Sequence, residues 1–145
     1  MPRTLPTLTD MSITAADSAR RLEEVRASGE LASLCERHGI ELLMHFGSSL
    51  SRGEPRDVDV AVGFAAGAGD LRGVVEALAA LIPGDHLDVM DLDRAGAVAR
   101  QRALVGGRVL YSSSPAAFSE RELWAVREYM ETAPRRRALL QELAR

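Results

Sequence analysis

Lysine is absent from this 145-residue chain; all 18 basic side chains are arginines. That excludes a Schiff-base lysine, a Walker-A phosphate loop and a kinase-type phosphate lysine, each of which needs the ammonium group. Any phosphate bound here must be held by arginine, backbone amides or metal. Cysteine is nearly absent too: Cys35 stands alone and has no partner for an internal disulfide. No apolar run approaches the ~18 residues of a membrane span. Residues Met1 to Thr14 lack the basic start and apolar stretch of a secretory signal, so a cytoplasmic address is expected. The net charge of −3 gives no electrostatic case for general nucleic-acid binding. What remains is an ordinary globular composition, 46% hydrophobic and 27% charged, of a length that suits one domain.

The pattern along the chain predicts a flexible arm over 1–14, a core over 15–112 and a C-terminal helical segment over 113–145. Leu22, Val25, Leu31, Leu34 and Cys35 fall at helical spacing, with a break near Ser28-Gly29. Ile40 to Phe46 suits a buried strand, and Gly47 to Gly53 a turn with one helical turn. Asp57 to Phe64 alternates, with Val58, Val60, Val62 and Phe64 on one face and Asp57, Asp59, Ala61 and Gly63 on the other. A helix follows over Leu71–Ile82, capped by Asp70. His86 to Leu92 reads as a third strand. Asp93 is placed to cap the next helix, which ends at Gly106-Gly107. Arg108 to Tyr111 suits a short edge strand. Ser119 and Glu122 have capping-box spacing in the last helix, which Pro134 should split. The mixture predicts an α/β (α+β) domain with a small mixed sheet and packed helices.

Chemistry concentrates in one constellation. Asp57 and Asp59, two apart on a strand, project the same way about 6.6 Å apart. Two such carboxylates repel unless a cation sits between them, and hard oxygens suit Mg2+ together with substrate phosphates. Asp88 lies between apolar neighbours on the third strand. If that strand pairs beside the first, three acids can hold two ions ~3.5–4 Å apart. Asp91 competes for this role, but strand parity puts it on the opposite face, where it and Asp93 suit helix capping. Gly47-Ser48, at the end of a strand, exposes backbone amides and a hydroxyl to a phosphate oxygen. Ser49 belongs to the same turn, and Arg52 is a cation within reach of a triphosphate. An Asp-x-Asp pair or a Gly-Ser turn alone is a common surface feature; their order and combination carry the signal. His38, His45 and His86 show no ligand spacing and read as structural, with His45 nearest the turn. Cys35 reads as core.

The segments His45-Phe46-Gly47-Ser48-Ser49-Leu50-Ser51-Arg52-Gly53, Arg56-Asp57-Val58-Asp59-Val60-Ala61-Val62 and Leu87-Asp88-Val89-Met90-Asp91-Leu92 resemble the minimal nucleotidyltransferases of the DNA polymerase β superfamily. The resemblance covers about residues 28–112, and the C-terminal segment looks like the tail of members that act as antitoxins beside HEPN-domain ribonuclease toxins. It implies transfer of AMP from ATP to a tyrosine of the toxin. Asp57, Asp59 and Asp88 would be the catalytic, metal-holding acids, and Gly47, Ser48, Ser49 and Arg52 the nucleotide contacts. Two features depart from that pattern. The eight-residue link Ser49 to Arg56 is shorter than usual for the antitoxin branch, and Ser49 stands where many members carry arginine. A small-molecule nucleotidyltransferase and a non-catalytic, toxin-occluding antitoxin are the competing readings. Homo-oligomerisation is compatible with each of them.

Overall fold

The computed structural model describes residues 12–50, 53–66 and 69–145. Two helices, α1 (Ala15–Ser28) and α2 (Glu30–Arg37), lead into β1 (Ile40–Phe46), and a single 3-10 turn (Ser48–Leu50) follows. Then come β2 (Val58–Phe64), α3 (Leu71–Leu81), β3 (Leu87–Asp91), α4 (Ala97–Gly106), β4 (Arg108–Ser112), α5 (Pro115–Glu131) and α6 (Ala133–Leu143). Gly29, at φ 87°, separates α1 from α2 in a left-handed conformation that glycine adopts without Cβ strain. Thr14 opens α1 through a capping box with Asp17. Asp70 caps α3 by accepting the Gly73 N–H at 3.1 Å.

The sheet order is β3-β2-β1-β4. β1 runs antiparallel to both β2 and β4, whereas β2 and β3 are parallel, with α3 as the crossover between them. Helices cover both faces. On one side Val58, Val60, Val62 and Phe64 bury against Leu22 and Val25 of α1, Leu34 and Cys35 of α2, and Val74 and Leu78 of α3. On the other, Ala61, Leu42 and Met44 pack under Ala103 and Leu104 of α4 and Ala125 of α5. The valine face is therefore core, as the alternation predicts. The carboxylate face is core as well, but only from Ala61 onward. Cys35 is fully buried, and desolvation pushes its thiol up to about 12, which makes it inert packing.

Two local expectations fail. Asp93 does not cap α4: Gly96 holds that position without a side-chain bond, and the Asp93 carboxylate instead accepts the Phe64 N–H and pairs with Arg121. Ser119 lies inside α5, whose cap is Ser114 accepting from Ala117 N, with Pro115 in the first turn. Asp91 is turned to its own loop, as parity requires, accepting the Asp93 N–H at 2.9 Å. Pro134 does divide the last helix, at the α5–α6 junction.

Arg121 fastens α5 to the sheet. Its guanidinium reaches Asp93 at 2.9 Å, Glu41 at 3.0 Å and the Phe64 carbonyl at 2.9 Å. Gly63 makes the room, since a Cβ there would stand 2.7 Å from the Arg121 Cζ. Arg121→Met would leave two carboxylates together without their shared cation. We expect a loss of about 2–3 kcal/mol, below the figure for a fully buried pair because the side chain is 20% exposed. Urea denaturation measures it, and an unchanged midpoint would remove Arg121 from the structural account.

Candidate active site

The end of the sheet at which β1 finishes and β2 begins brings the predicted acids together. In the β2–β3 register Asp59 stands opposite Asp88, so the two carboxylates share the face that α4 and α5 cover farther along. Asp57 immediately precedes β2 and is exposed, as is Asp88; Asp59 is partly buried. Asp59 senses the charge of the other two. The Asp59 carboxyl is raised above its usual range, first by burial, then by the negative charges of Asp88 and Asp57, against a lowering by Arg102. Among the described residues no group of three His, Cys, Asp or Glu side chains is gathered tightly enough to hold a metal ion. By register and sequence position the acids form a shared patch of negative charge rather than a closed cage. The donor set fits a hard divalent cation: carboxylate oxygens on adjoining strands, with no sulfur or imidazole among them.

Gly47 closes the site from the β1 side. It has φ 83°, and a Cβ there would lie 2.3 Å from Asp59 Oδ2. The turn thus runs its backbone directly against the carboxylate, which only glycine permits. Phe46, the preceding residue, is the register partner of Asp59. After Gly47 the chain makes one 3-10 turn, closed by Leu50 N–H to the Gly47 carbonyl at 3.2 Å, and presents Ser48 to solvent.

Ser49, expected to contact nucleotide, has a protein partner in the turn. Its hydroxyl is hydrogen-bonded to Nε2 of His45. His45 pairs across the sheet with Val60, on the face opposite Asp59. Ser49 therefore anchors the turn to the core, and His45 is its buried partner. Arg52 lies outside the described residues. Sequence reasoning missed Arg102, on α4, as a charge acting on the site; nothing in its local pattern separates it from the other helix-surface arginines.

His45 supplies a pH prediction. Burial, then the Arg108 guanidinium, hold its imidazole below the usual histidine value, against an upward pull from Glu23. A depressed histidine binds its proton more readily unfolded than folded, so its contribution is present above about 6.5 and is lost as pH falls toward the folded value. Subtracting a His45→Gln stability curve from wild type between pH 7 and 5 should leave a component that falls with acid. A flat difference would mean that His45 titrates alike in both states.

No protein-family model matches the chain, and no curated protein matches it. Solved structures do. A chain of an MntA–HepT-type toxin–antitoxin complex bearing two Asp→Glu substitutions superposes with a TM-score of 0.68 at 18% identity, covering 81% of this chain and 98% of that one. A toxin–antitoxin structure with AMP-PNP gives 0.66 at 19%, again covering 81% and 98%. The complex of tri-AMPylated Shewanella oneidensis HEPN toxin with MNT antitoxin gives 0.66 at 17%, covering 88% and 99%. The fold here is that of these matched chains, built on a mixed four-stranded sheet with helices on both faces. Among the described residues no helix is long and apolar enough to cross a membrane.

Proposed function

We propose that this chain is a magnesium-dependent nucleotidyltransferase that moves AMP from ATP to a tyrosine of a partner HEPN toxin, and so acts as its antitoxin. The observation that carries the reading is the Asp59–Asp88 register with Gly47 packed on the Asp59 carboxylate. A strand-borne acid pair against a glycine turn is an arrangement that can hold a divalent cation beside a phosphate chain. The likeness to antitoxin chains, one solved with AMP-PNP and one beside an AMPylated toxin, supports the nucleotide and the class of acceptor.

Asp57 and Asp59 are the residues that would hold Mg2+, with Asp88 completing the set. Bound there, the metal would neutralise phosphate charge and lower the pKa of the acceptor hydroxyl. The Gly47–Ser48 turn would seat the β and γ phosphates through backbone N–H groups and the exposed Ser48 hydroxyl. The acceptor oxygen bonds to the α-phosphorus, the bond from that phosphorus to the bridging oxygen breaks, and pyrophosphate leaves with the electron pair. Asp88, the exposed acid on β3, would accept the acceptor's proton on its carboxylate.

A reading without chemistry, in which the chain neutralises a toxin by occlusion, has one observation in its favour. Trp124, Met130, Leu140 and Leu143 of α5 and α6 are all more than half exposed, at 66%, 67%, 66% and 82%. Such apolar exposure suits a covering partner. Incubating the chain with α-labelled ATP, Mg2+ and the neighbouring HEPN protein separates the two. Label on a toxin tyrosine supports the transferase, whereas a stable unlabelled complex supports occlusion and overturns the proposal.

A further inference from the structure

We infer that Arg102 is the cation that contacts the phosphate chain of the nucleotide, supplied from α4 rather than from the Gly-Ser turn. The inference rests on the nucleotidyltransferase reading above and adds a residue to it. Its basis is the course of α4. The helix starts beside the far end of β3 and finishes at Gly106-Gly107, where β4 begins. Gly107 lies so close to the end of β1 that a Cβ on it would meet the Ala103 carbonyl at 2.1 Å and the His45 carbonyl at 3.0 Å. His45 is two residues before Gly47, so the last turns of α4 end beside the glycine turn.

The face of the sheet is also the right one. Ala103 and Leu104 bury against Leu42, Met44 and Ala61, on the side that carries Asp59 and Asp88. Arg102 precedes Ala103 and is exposed. It stands near enough to Asp59 for the two opposite charges to attract.

Two neighbouring arginines are already committed. Arg108 pairs with Glu23 at 3.2 Å. Arg100 pairs with Glu128 and donates to the Leu92 and Ala95 carbonyls. Arg102 has neither an ion pair nor a hydrogen bond among the described residues. The turn, meanwhile, spends the Ser49 hydroxyl on His45. A patch of three carboxylates repels a triphosphate, and a fixed guanidinium at its rim offsets that repulsion while forming charge-assisted hydrogen bonds. As the bond to the α-phosphorus breaks, the same guanidinium would balance the charge that gathers on pyrophosphate.

The test measures binding to the full chain, with Mg2+ and either sodium tripolyphosphate or α,β-methylene ATP as ligand. Arg102→Gln should weaken both ligands about 10- to 100-fold, the scale of a lost hydrogen bond to a charged group. Arg102→Lys, which keeps the charge but not the fork, should recover part of the loss. Thermal melting should match wild type, because the side chain is exposed and unpaired. Mn2+ binding without phosphate, read by paramagnetic resonance, should be unchanged or tighter in Arg102→Gln. If Mn2+ binding weakens in parallel with phosphate binding, Arg102 acts through the carboxylates and the inference falls. Unchanged phosphate affinity in Arg102→Gln overturns the inference and leaves the transferase reading intact. Failure of the wild type to bind either ligand removes both.

Discussion

Asp59→Asn should abolish adenylyl transfer and at the same time raise the melting temperature of the metal-free protein. The first effect follows from the site's dependence on negative oxygen ligands. Replacing one with an amide removes both charge and metal affinity, and a loss of about 10³-fold or more is the scale on which transition-state charge stabilisation is measured. The second follows from the cost of keeping Asp59 ionised. Burial and the neighbouring Asp88 and Asp57 raise its carboxyl, so the folded state disfavours the charge relative to the unfolded chain. For an acid whose folded pKa is raised, stability is lost as pH rises through the unfolded and then the folded value. Above the folded value the penalty is fully present, and the neutral amide lifts it. Asp57→Asn should lose transfer alike but gain little stability, because Asp57 is exposed. Transfer assays paired with calorimetry of metal-free protein check both arms. Retained transfer in Asp59→Asn would place the chemistry elsewhere, and a lower melting temperature would make the carboxylate structural.

Gly47→Ala carries the next largest effect. A non-glycine residue at φ 83° costs about 1–3 kcal/mol in backbone strain. The added methyl would also stand 2.3 Å from Asp59 Oδ2, so the carboxylate must move. A displacement of about 1 Å in a catalytic group costs on the order of 100-fold in rate. The expected phenotype is therefore lower stability together with transfer reduced at least that far. Gly53→Ala is the control. It too replaces a glycine at positive φ, 117°, but among the described residues nothing lies within 4 Å of the new Cβ. It should lose stability and keep most of its transfer. Equal losses of transfer in the two variants would show that strain in the turn, not its contact with Asp59, governs the site.

The alternation Val58-Asp59-Val60-Ala61-Val62 was readable because a strand's two-residue period assigns side chains to faces without reference to any other segment. The same holds for the break at Gly29, the Asp70 cap and the split at Pro134, each set by backbone chemistry local to the residue. Caps were less secure. Asp93 has the right side chain and the right position to open α4, yet it turns to the Phe64 N–H and Arg121, groups 29 and 28 residues away. Short polar side chains satisfy whichever donor the fold brings nearest, and local spacing cannot rank a distant one.

By itself the sequence determined the type and order of the elements, the common face of Asp57 and Asp59, and the restriction of any phosphate site to arginine, backbone amides or metal. Tertiary structure alone decided that Asp88 stands across from Asp59, that Gly47 presses on that carboxylate, that Ser49 turns to His45, and that α4 delivers Arg102 to the same end of the sheet. The reason is that periodicity reports which way a side chain faces within its own segment. Which segments meet, and in what register, is fixed by the packing of both sheet faces at once, and no single stretch of chain contains that information.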